Sequence, residues 1–138
     1  IHGDWRIDNV VFDLAHGRIA GVLDWELATV GDPLMDLGSS LAYWGDRDDE
    51  SAFASLRRQP SHLPGMPTRE EFLQRYLQLS GRKCADFTFY EVFGLFRLAV
   101  IIQQIWARFR SGQTTNPAFA GFGDAVNTLI NRAEGKIS

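Results

Sequence analysis

Ile1-His2-Gly3-Asp4-Trp5-Arg6-Ile7-Asp8-Asn9, followed later by Leu23-Asp24-Trp25-Glu26, is the part of the chain from which the rest is read. Asp4 and Asn9 stand five positions apart. In a D-x-x-x-x-N loop of this kind the carboxylate faces an attacking hydroxyl, while the amide oxygen faces a magnesium ion and the phosphates it carries. A short, non-helical segment can present both sides at once, which is why the chemistry wants this spacing. Magnesium takes oxygen ligands and usually only one or two carboxylates beside waters and phosphate oxygens. A second protein ligand is therefore expected, and Asp24 is the candidate.

Val10-Val11-Phe12 and Ile19-Ala20-Gly21-Val22-Leu23 read as short strands, with residues 13–17 as a polar, glycine-containing turn. A hairpin returns the chain on itself. Asn9, entering the first strand, and Asp24, leaving the second, should emerge at the same end and could share one cation.

Three blocks in this order, His2-Gly3-Asp4 with Asn9, then Leu23-Asp24-Trp25-Glu26, then Gly31-Asp32-Pro33-Leu34-Met35-Asp36-Leu37, resemble the aminoglycoside phosphotransferase (choline/ethanolamine kinase-like) superfamily. Thr68-Arg69-Glu70-Glu71-Phe72 and Phe93-Gly94-Leu95-Phe96-Arg97-Leu98-Ala99 look like the branch associated with acyl-CoA dehydrogenases. The resemblance implies a mainly α fold with a short β-hairpin, the C-terminal helical lobe of a protein kinase-like fold, over residues 1–138. It implies Asp4 as general base, and Asn9 and Asp24 as ligands of Mg2+ and, through it, of ATP or GTP. His2 would brace the loop by hydrogen bonding, with Glu26 and Asp36 as further structural support. Trp5, Arg6 and Asp8 fall where the pattern tolerates variation.

The implied activity is transfer of a phosphoryl group to the hydroxyl of a small molecule. The acceptor stays open among aminoglycosides, choline, sugars, amino-acid-derived metabolites and hydroxylated acyl-CoAs. A cationic antibiotic would call for a carboxylate-rich pocket, and beyond Asp46, Asp48, Asp49 and Glu50 the helical half has no such cluster. Two other classes fit the same residues: a non-catalytic, pseudokinase-like binding domain, and a metal-dependent phosphohydrolase. The base and both ligands are retained, which weighs against the first, and the kinase-type spacing weighs against the second. Kinase catalysis also needs a phosphate-covering loop and a strand lysine paired with a helix glutamate. Neither has a counterpart in these residues, so the N-terminal nucleotide-binding lobe is expected to be absent. The chain alone should then be inactive and, through an uncovered lobe interface, prone to form a homo-oligomer.

Composition sets the remaining bounds. The 138 residues are 45% hydrophobic, 22% charged and 12% aromatic, values of a globular domain. No apolar run approaching a membrane span and no signal-peptide pattern is expected. A formal charge of −3 offers no basic footprint for nucleic acid. The single cysteine, Cys84, fits an ordinary thiol in a cytoplasmic setting.

After the hairpin the apolar period changes from two to about 3.6 residues. Asp32 with Pro33 should cap a helix carrying Leu34, Leu37, Leu41 and Trp44 on one face, stopped at Gly45-Asp46. Residues 46–50 read as a solvated acidic turn and 60–67 as a proline-rich loop. Thr68 and Glu71 form a capping box for a helix that stops at Gly81. The longest helix, about 87–111, is expected to be central and the most buried, and Asn116-Pro117 to open a last helix with Val126, Leu129 and Ile130 inside.

Overall fold

The computed structural model describes residues 1–138. The two short apolar runs near the start form an antiparallel hairpin of β1 (Val10–Asp13) and β2 (Arg18–Val22). Val10 pairs with Val22, and a bulge between Val11 and Phe12 takes up the odd residue. Five helices follow: α1 (Pro33–Ala42), α2 (Ser51–Ala54), α3 (Arg69–Ser80), α4 (Thr88–Arg110) and α5 (Phe122–Glu134). The hairpin is the only sheet, so the fold is mainly α.

Local chemistry starts and stops several helices. Asp32 accepts the Leu34 N–H at 2.9 Å, and Pro33, which needs no donor there, occupies the first position of α1. Tyr90 O–H also donates to Asp32, at 2.9 Å. At α3 the capping box is complete: Glu71 N–H donates to Thr68 Oγ1 at 3.2 Å and Thr68 N–H to Glu71 Oε2 at 2.8 Å. That backbone donor holds the Glu71 carboxyl below its ordinary pKa. Gly81, at φ 67°, closes the helix in the left-handed region. Trp44 lies just beyond α1 yet still extends its apolar face, buried with its indole N–H donating to Pro67 O at 2.9 Å.

Two apolar clusters result. Leu34, Leu37, Leu41, Trp44 and Leu73 join α1 to α3, while Phe53, Leu95, Leu98, Leu129 and Ala133 join α2, α4 and α5. α4 lies between α1 and α5. Its approach to α1 is as close as backbones allow, because a Cβ at Gly38 would overlap the Tyr90 carbonyl and a Cβ at Gly94 would overlap the Gly38 carbonyl.

Four expectations need correction. α4 is central but not the most buried: Phe89 and Phe96 are 64% and 56% exposed, and the one side chain buried completely is Leu129 of α5. By length and composition α4 is also apolar enough to cross a membrane, contrary to the expectation of no such stretch. Here it packs against α1 and α5, and its Arg97 donates to Gly3 O at 2.7 Å.

Residues 46–50 are not simply solvated. Asp49, its side chain only 3% exposed, bridges Arg69 of α3 at 2.5 Å and Arg132 of α5 at 3.0 Å, and Asp46 takes a second Arg69 nitrogen at 3.0 Å. Burial would raise the Asp49 pKa, but the hydrogen bond and charge of Arg69, with Arg132 behind it, bring it below the ordinary value. Lastly, Asn116-Pro117 opens only a 3-10 turn, Pro117–Phe119, and α5 begins at Phe122. The glycine at 121, a poor helix former, separates the two.

Candidate active site

The segment before β1 is held from four directions. Asp36, one turn into α1, accepts His2 N–H on Oδ2 at 2.8 Å and Gly3 N–H on Oδ1 at 2.9 Å. Arg97 of α4 binds the Gly3 carbonyl, and Ser40 Oγ of α1 donates to Trp5 O at 2.7 Å. Ile7 N–H donates to Gln59 Oε1 at 3.3 Å. Gly3 itself is at φ 84°, and a Cβ there would press on Leu27 O at 2.5 Å, so both conformation and space require glycine.

His2 is 4% exposed and locks one segment to the next. Its Nδ1 accepts Asp4 N–H at 3.2 Å, which leaves the proton on Nε2 to be donated to Leu23 O at 2.8 Å. The imidazole also lies 4.7 Å from the Trp25 ring. A histidine spent in this way on two backbone groups braces the loop and has no lone pair left for proton transfer.

Asn9 is buried, and its amide nitrogen donates to Asp4 O at 2.8 Å and, more weakly, to Asp4 Oδ2 at 3.4 Å. Those bonds assign the nitrogen and leave Oδ1 as a free acceptor. Leu23 N–H donates to Asn9 O at 2.8 Å, so the residue preceding Asp24 is paired directly with Asn9 across the hairpin mouth. Asp24 is exposed and is the one non-glycine residue at positive φ, 66°. Left-handed backbone is uncommon outside glycine, and aspartate is among the few residues that adopt it singly. Its carboxylate caps nothing.

Asp4 carries Arg6 on Oδ2, at 3.2 Å, and Arg6 reaches Asp8 at 3.6 Å. Asp4 Oδ1 is left open. Glu26, expected to help brace this region, is instead exposed in the turn Trp25–Leu27 and takes no part in the bonding. The work falls to His2 and Asp36. No three His, Cys, Asp or Glu side chains group into a metal cage. The donor set is one amide oxygen and one carboxylate, oxygen only, and this fits a magnesium ion that completes its shell with water and phosphate oxygens.

Arg97, Ser40 and Gln59 were not singled out from sequence. They lie 94, 35 and 52 positions from the loop residues they bind, and no local spacing marks them.

A helical lobe led by one hairpin, with the loop at its entrance clamped by two helices, is the C-terminal lobe of the protein kinase-like fold. The chain superposes with a TM-score of 0.78 on a Ralstonia eutropha crystal structure assigned to an aminoglycoside phosphotransferase, at 29% identity over 99% of this chain and 41% of that one. The phosphotransferase enzyme family model matches residues 1–79, and the chain belongs to that family. Among curated proteins it is 38% identical over 138 residues to acyl-CoA dehydrogenase family member 10 of Mus musculus, covering 96% of this chain and 12% of that protein. It is 33% identical over 134 residues to acyl-CoA dehydrogenase family member 11 of Homo sapiens, covering 94% and 16%. The chain thus spans a small part of these relatives and under half of the solved structure.

Proposed function

We propose that this lobe serves transfer of the γ-phosphoryl group of ATP, or of GTP, to a hydroxyl of a small molecule, with Asp4 as general base. The observation that supports the reading is that Asn9 is bonded to Asp4 on one side and to Leu23, the residue before Asp24, on the other. The Asn9 amide oxygen stays free. Asn9 Oδ1 and the Asp24 carboxylate would hold Mg2+. When bound, the ion supplies positive charge to the phosphate oxygens and fixes their orientation.

The chain's own contribution is positioning. Asp4 Oδ2 is committed to Arg6 and Asn9, so Oδ1 is the atom that accepts the proton of the acceptor hydroxyl. As that proton moves to Asp4, the hydroxyl oxygen bonds to the phosphorus and the nucleoside diphosphate leaves. Clamping of residues 2–5 by Asp36, Ser40 and Arg97 keeps the base from drifting, and a displacement of about 1 Å can cost roughly 10²-fold in rate. These 138 residues include no phosphate-covering loop. We therefore expect negligible turnover from them alone.

The test uses a phosphotransferase that carries this chain together with a nucleotide-binding lobe. Asp4→Asn should lower kcat by about 10² or more while nucleotide affinity holds, since general-base and positioning effects are each of that size. Asp24→Ala should instead raise the magnesium concentration needed for nucleotide binding, with the amide of Asn9 left as sole protein ligand. Equal kcat for Asp4→Asn and wild type removes the base, and phosphate release to water without transfer favours a hydrolase.

A further inference from the structure

α1 touches the loop before β1 at three successive points. Asp36 holds His2 and Gly3, Ser40 Oγ holds Trp5 O at 2.7 Å, and the Arg6 guanidinium lies over the Tyr43 ring, 5.0 Å from its centroid. Residues 36, 40 and 43 are four and three positions apart, the spacing that stacks side chains on one face of a helix, and the helical backbone continues through Tyr43 at the end of α1. The helix therefore meets the loop residues in their own order. Its last contact falls on the side chain that grips Asp4.

Arg6 by itself would hold that grip loosely. Its Nη2 lies 3.2 Å from Asp4 Oδ2 and its Nη1 3.6 Å from Asp8 Oδ2, so two acids compete for a guanidinium whose side chain is 26% exposed. Ion pairs with such access to water are weak and pay entropy to keep a long side chain in one geometry. A guanidinium stacked on an aromatic face is fixed in its plane as well as its place. The ring is itself anchored, because Tyr43 is half-buried and packs against the cluster that holds Ala42, Phe53, Leu95 and Leu98. Its hydroxyl makes no hydrogen bond within the chain, so what the residue contributes here is its face.

We propose that Tyr43 is a positioning residue for the base: its ring fixes Arg6, and Arg6 in turn fixes the Asp4 carboxylate with Oδ1 toward the acceptor hydroxyl. Without the ring, Arg6 is free to swing to Asp8. Asp4 Oδ2 then keeps only the Asn9 contact at 3.4 Å, and the carboxylate rotates out of line. The effect on turnover rests on the phosphotransferase reading above; the holding of Arg6 by the ring does not.

The test pairs kinetics with side-chain relaxation. In a phosphotransferase that carries this chain together with a nucleotide-binding lobe, Tyr43→Leu should lower kcat about tenfold while KM for the nucleotide stays within about twofold. Tyr43→Phe, which keeps the ring, should restore kcat to within about twofold of wild type. Arg6→Met should lower kcat at least as far, and adding Tyr43→Leu to it should cost nothing more, the signature of two residues acting in series. In the 138-residue chain, nitrogen relaxation at Arg6 Nε, an atom shielded from water, should report a rigid side chain in wild type and Tyr43→Phe and a mobile one in Tyr43→Leu. Unchanged kcat in Tyr43→Leu, an equal loss in Tyr43→Phe, or losses that multiply in the double variant overturns the proposal. So does a mobile Arg6 in wild type, a measurement that needs no variant to fold. An Arg6 kept rigid only by the ring, in a protein that transfers no phosphate, would support the holding of Arg6 and reject the phosphotransferase reading; transfer at full kcat by Tyr43→Leu would do the reverse.

Discussion

Replacing Asp36 by Asn isolates the clamp that sets the base. The carboxylate accepts two backbone N–H groups, His2 at 2.8 Å and Gly3 at 2.9 Å, one on each oxygen. Asparagine offers one oxygen and one NH2, so one of the two N–H groups would face a donor. Loss of a hydrogen bond to a charged group costs about 1.5–3 kcal/mol. The surviving bond loses its charge assistance, roughly half its strength, for about 1 kcal/mol more. The sum is about 2.5–4 kcal/mol. With a urea slope of about 2 kcal/mol/M, the unfolding midpoint should fall by about 1–2 M. Amide exchange at Gly3 should quicken by about 10² or more, since each 1.36 kcal/mol is tenfold. Asp124→Asn, at an exposed position of α5, serves as control and should stay within about 0.5 kcal/mol. A midpoint within about 0.3 M of wild type, with Gly3 still protected, would refute the clamp.

Gly94→Ala should destabilise by about 3 kcal/mol or more, because the added methyl meets the Gly38 carbonyl and backbone cannot step aside; Gly21→Ala, in open space, should be near neutral by the same urea measurement. Asp49→Asn removes the carboxylate from Arg132 and leaves Arg69 only Asp46, and should cost about 3 kcal/mol. The Asp49 pKa in the folded chain lies below the ordinary value of about 3.9, so its stabilisation is complete above that pH and disappears as pH falls through the folded value. The stability gap between wild type and Asp49→Asn should accordingly be flat from about pH 5 upward and close in acid; a gap that widens below about pH 4 would show the sign to be wrong. The Asp4→Asn and Asp24→Ala outcomes given above complete the set.

What the sequence determined by itself was whatever a few neighbouring residues could enforce. Two short apolar runs on either side of residues 13–17 required a hairpin, and the hairpin paired Asn9 with Leu23, the residue before Asp24. Asp32-Pro33 and Thr68 with Glu71 began helices because the orphan N–H groups of a first turn need those side chains at those offsets. Spacing alone likewise nominated Asp4, Asn9 and Asp24. Tertiary structure decided everything that depends on which surfaces meet. Asp49 reads locally as a turn charge, and only the convergence of α3 and α5 buries it between two arginines. Gly38 and Gly94 are unremarkable helix positions until α1 and α4 cross there. Arg97 reaches Gly3 across 94 positions. Hydrogen-bond offsets and pleat period are properties of neighbours along a chain, whereas shape complementarity and the pairing of buried charge are properties of elements brought together by the whole fold.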